Sequence, residues 1–118
     1  MNYKIRDNEL IITGKWPETE RDALKISIEK WEWLAKNITE YTGVPDVGTD
    51  ECALCHIYFK EAGNCFGCPV QRKTRKHDCV GTPYFKYQSV SGDYNANNVD
   101  KAIVAAAAEV KFLKSLVK

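Results

Sequence analysis

The sequence predicts an α+β domain, mainly α: two long amphipathic helices, an N-terminal β-hairpin and a metal-stapled, cysteine-rich loop module. Three observations carry that expectation. Apolar residues recur at helical spacing in two stretches, one before residue 43 and one after residue 97. Apolar and polar residues alternate over the first dozen positions. All five cysteines fall between Cys52 and Cys79, in the part that shows neither pattern. With 118 residues the chain has the length of one domain, divided into residues 1–43, 44–96 and 97–118.

The elements follow in order. Tyr3, Ile5, Leu10 and Ile12 alternate with polar residues, and Asp7-Asn8 suits the tight turn of a hairpin. A helix is expected near residues 18–41. Pro17 favours a first turn, and Glu18, Glu20 and Asp22 set negative charge at the positive end of the helix dipole. Leu24, Ile28, Trp31, Ala35 and Ile38 then recur at spacings of 4, 3, 4 and 3, and Gly43 with Pro45 reads as the stop. For the last helix, Asn97 and Asp100 resemble a capping arrangement. Its stripe is Val99, Ile103, Ala106, Val110, Leu113 and Val117, and Ala105–Ala108 lets another helix approach closely. Residues 44–96 read as irregular, with Pro45, Pro69 and Pro83 and five glycines. A stretch of that length needs something else to hold it.

The cysteines are the candidate. They run Cys52-Ala-Leu-Cys55, nine residues, Cys65-Phe-Gly-Cys68, ten residues, Cys79. A Cys-x-x-Cys pair lets two thiolates converge on one ion from a single turn, and two pairs supply the four sulfurs of tetrahedral zinc. The expected ligands are Cys52, Cys55, Cys65 and Cys68, with Cys79, His77 and His56 as alternates. An iron–sulfur cluster is the alternative cofactor, since four thiolates also satisfy it and Cys68 precedes Pro69. An odd number of cysteines confined to 28 consecutive residues does not suit a secreted disulfide framework. The start of the chain lacks the apolar stretch of a secretory signal, so the cytoplasm is the expected compartment.

Composition excludes some classes. Hydrophobic residues at 44% and charged residues at 28% do not suit disorder, and no apolar run approaches the ~20 residues of a membrane-spanning helix. Catalysis is disfavoured as well. Four thiolates close a zinc site, whereas catalytic zinc keeps an open position. The nucleobase deaminases need His-x-Glu, but here His56 is followed by Ile57-Tyr58 and His77 by Asp78-Cys79. A thioredoxin-like redox pair would need a βαβ pattern that the chain lacks.

Charge is unevenly placed. Residues 1–51 carry 7 basic and 11 acidic side chains, whereas residues 52–91 carry 6 and 2. Arg72, Lys73, Arg75 and Lys76 follow the second cysteine pair, and Tyr58, Phe59, Phe66, Tyr84, Phe85 and Tyr87 flank them. Basic groups interleaved with rings suit phosphate contacts and base stacking, though they equally suit a solvated loop beside a small core. Trp33 lies off the stripe of the first helix, free to meet the hairpin, the loop module or a partner.

The run Cys52-Ala-Leu-Cys55, Cys65-Phe-Gly-Cys68-Pro69-Val70 and Cys79-Val-Gly-Thr82-Pro83-Tyr84 resembles a motif in small cysteine-rich proteins of bacteriophages. The resemblance covers Cys52 to Tyr84 and not the helices. It implies that all five cysteines belong to one unit and that the setting is viral, in the host cell cytoplasm. It carries no activity with it. The expected function is therefore binding: a small zinc-containing accessory or regulatory protein that engages a protein partner. A nucleic-acid-binding zinc module using residues 72–76 is the second expectation, and an iron–sulfur or redox protein the third.

Overall fold

A hairpin opens the chain. In the computed structural model, which describes residues 1–47, Ala53, Leu54, Lys73 and residues 82–117, β1 (Asn2–Arg6) pairs antiparallel with β2 (Glu9–Thr13). Arg6 and Glu9 form the closing pair, and Asp7 and Asn8 take φ of 52° and 61°. Two successive positive φ values make the turn whose twist matches the strands, and Asp and Asn tolerate it best after glycine. The alternation of Tyr3, Ile5 and Leu10 is the observed one, with Leu10 buried and the other two half-buried.

Helix α1 spans Glu20–Asn37, shorter at both ends than the expected 18–41. Thr19 is the N-cap: its side chain accepts from the Asp22 N–H at 3.2 Å. The helix stops at Asn37 because Ile38 turns extended, and Thr39 and Thr42 then exchange side-chain-to-backbone hydrogen bonds of 2.9 and 3.3 Å. Those threonines compete with the helix for its own backbone groups. The buried face is also turned from the predicted stripe. Ala23, Leu24, Ser27, Lys30, Trp31 and Leu34 are buried, while Ile28 and Ala35 are half-buried.

A helix after the cysteine-rich stretch was not expected. Helix α2 covers Pro83–Gln88, with Pro83 in its first turn, where a missing N–H costs nothing. Helix α3 covers Ala96–Lys114 and is capped by Asn95, not Asn97, through a 2.8 Å bond from the Asn97 N–H to Asn95 Oδ1. Val117 lies beyond its end and is 49% exposed.

Helices α1 and α3 pack on each other, and α2 packs on α3. Ala102 and Ala106 are fully buried at the α3 side of this core, which lets helix backbones come close. Leu24, Trp31, Leu34, Val99, Tyr87 and Leu113 fill the centre. The fold is thus α+β, mainly α, with a hairpin and two main helices packed together.

Candidate functional site

Two short segments lie on either side of the cysteine-rich stretch, Val44–Val47 before it and Thr82–Asp93 after it. They are tied to each other. The Val44 N–H donates to the Asp93 carbonyl at 2.8 Å, and the Gly92 N–H returns to the Val44 carbonyl at 2.7 Å. The Tyr87 hydroxyl donates to the Pro45 carbonyl at 2.7 Å, and the Tyr84 hydroxyl donates to the Val47 carbonyl. A parallel bridge between Glu9 and Asp46 fastens the first segment to the end of the hairpin. The segments that bracket the cysteine-rich stretch are therefore bound to each other through Val44, Pro45 and Val47 on one side and Tyr84, Tyr87, Gly92 and Asp93 on the other.

The aromatic rings under the tie explain its order. Trp31 on α1 meets Tyr87 edge-on at 4.9 Å and Tyr84 at 5.9 Å, with interplanar angles of 82° and 76°. Tyr87 is completely buried. Burial raises its phenol well above the ordinary value, with further contributions from Asp46 and then Tyr84, so it stays a neutral donor. Helix α2 is held from below as well. The Glu109 carboxylate on α3 accepts from the Tyr84 N–H at 2.9 Å, while the side chain of the N-cap Thr82 makes no cap bond to the helix. A buried side chain from another element thus accepts from a first-turn N–H of α2 that has no partner within the helix.

Two residues of the cysteine segment join this core. Ala53 and Leu54, which separate Cys52 from Cys55 in sequence, are helical and only 1% and 2% exposed. Lys73 is exposed. Cys52, Cys55, Cys65, Cys68, Cys79, His56, His77, Arg72, Arg75 and Lys76 lie outside the described residues. Among the described residues, no three His, Cys, Asp or Glu side chains form a metal-binding group.

Trp33 is half-buried, with its ring 5.8 Å from that of Tyr3, so part of its surface packs on the hairpin. Tyr3 in turn bonds the Ile26 carbonyl at 3.5 Å. The rest of Trp33 borders a shallow depression shared with Lys25, Glu29, Glu32 and Lys36. Sequence reasoning missed the roles of Tyr84, Tyr87 and Glu109. Thr82-Pro83 was the available signal for α2, being an N-cap residue followed by a first-turn proline.

Among the described residues no helix is long and apolar enough to cross a membrane. Compared with known proteins, the chain matches no family model, no curated protein and no solved structure.

Proposed function

We propose that this is a small metal-stapled binding protein. In this reading Cys52, Cys55, Cys65 and Cys68 hold one zinc ion, and the ordered segment is presented to a protein partner from the helical body. The observation that carries it is the tie at the base of the segment together with the two Cys-x-x-Cys pairs inside it. Pro45 and Val47, before the five cysteines, are hydrogen-bonded to Tyr87 and Tyr84, after them. In this reading the tyrosine tie fixes the base of the segment and metal binding orders the rest. Zinc contributes on the order of 10 kcal/mol of apparent folding free energy in sites of this ligand type.

Burial of Ala53 and Leu54 supports the same reading, because the two residues that separate Cys52 from Cys55 in sequence belong to the core. A reducing compartment such as the cytoplasm keeps the thiols available for metal. The test is capture of partners by the zinc-loaded protein and by Cys65→Ser. Wild type retaining a partner that Cys65→Ser loses, with the body still folded by circular dichroism, supports the proposal. Equal capture by both overturns it.

The exposure of Lys73 favours one second reading, a nucleic-acid contact through Arg72, Lys73, Arg75 and Lys76. It requires affinity that falls steeply with salt and that Arg72→Ala with Lys73→Ala weakens at least tenfold. Unchanged affinity in that double variant eliminates it.

A further inference from the structure

Among the described residues, one face of α3 stands open to solvent. Asp100, Val104, Ala107, Ala108 and Lys111 are all exposed, and Val104 is 69% exposed in the middle of the helix. Val104 and Ala108 also wall an apolar groove of about 740 Å³ between α2 and α3, whose other wall carries Phe85, 50% exposed. A branched aliphatic side chain and a phenyl ring standing open beside alanines form a surface suited to a close-packed helix.

The charges on this face say which helix. Asn97, Val104 and Lys111 repeat every seven residues, as do Asp100, Ala107 and Lys114, so the two sets form one seam. Antiparallel packing of two copies about a two-fold axis between residues 105 and 106 sets Val104 against Ala107. The same axis sets Asp100 of each copy against Lys111 of the other. Parallel packing would set Asp100 against Asp100 and Lys111 against Lys111. Antiparallel packing also opposes the two helix dipoles favourably. The face is thus self-complementary in one orientation and repulsive in the other.

We infer that a second copy of this chain docks antiparallel along α3, through Val104, Ala107 and Ala108, with reciprocal Asp100–Lys111 pairs. The interface is isologous, as a two-fold dimer requires. One helix face with a ring at its margin is small for an interface, so the dimer forms at high protein concentration and is not permanent. The inference is independent of the metal reading, since every residue it uses lies in α2 and α3.

Sedimentation equilibrium of the full chain at low salt, over a range of concentrations, tests it. Wild type is expected to show a reversible monomer–dimer equilibrium. Asp100→Lys and Lys111→Asp should each weaken it tenfold or more, and the two together should restore it to within about threefold. Val104→Glu should abolish it without altering the dipole ends, and circular dichroism checks that each variant is folded. A strictly monomeric wild type would mean that something other than a second copy covers this face, and would overturn the inference. A dimer indifferent to Val104→Glu, or one that the double reversal fails to restore, would overturn it equally.

Discussion

Tyr87 shows how much one hydroxyl can hold. Its ring fills the centre of the core against Trp31, and its O–H satisfies the Pro45 carbonyl, itself buried. Tyr87→Phe keeps the ring and orphans that carbonyl, so it should cost about 1–3 kcal/mol, read from the urea midpoint. The same group sets a limit at high pH. Its folded-state phenol is raised above the ordinary 10.0 by burial, as is that of Tyr3 by burial and then by Glu29. The folded protein therefore holds protons that the unfolded chain releases. Stability from these phenols is fully present below pH 10 and falls as pH rises above it. Thermal melts from pH 8 to 11.5 should show a loss that begins near pH 10 and that Tyr87→Phe reduces. Glu109 carries a comparable role for α2. Glu109→Ala should cost about 1–3 kcal/mol, and Glu109→Gln less, because an amide oxygen can still accept from the Tyr84 N–H.

At the scale of elements, α1 and α3 were legible because their apolar spacing and charged ends are local signals. Leu24, Trp31, Val99, Ala106 and Leu113 were predicted on buried faces and are buried. The face of α1 was turned because Ser27 and Lys30 are buried in it, and apolar periodicity gives no weight to polar residues in a core. Helix α2 escaped notice because six residues make too few turns for periodicity, and its outward Phe85 and Lys86 show no stripe. The cysteine spacing was equally plain in the sequence. The tie beneath it was not, because bonds from Tyr84 and Tyr87 to carbonyls 37 and 42 residues away leave no local pattern. Gly43 leads directly into that tie at Val44. Its φ of +67° suits glycine, and a Cβ there would stand 2.7 Å from the Tyr94 ring. Gly43→Ala should therefore destabilise by about 1 kcal/mol or more even after the half-exposed ring moves aside, as a denaturant titration would show.

For the whole molecule, the described body and the cysteine segment divide the work. The hairpin and helices bury a shared core and tie Val47 to Tyr84, while all five cysteines lie in the sequence between those two residues. Removing the proposed zinc should therefore act unevenly. A strong chelator should lower the thermal midpoint and expose thiols to a colorimetric reagent, while far-ultraviolet circular dichroism retains the signal of α1 and α3. The most direct test of the staple is elemental analysis, with an absorption spectrum, of protein purified without added metal or chelator. The account predicts one zinc per chain and no visible absorbance. Iron with a brown chromophore, or no metal at all with the five cysteines free or paired as disulfides, would contradict it.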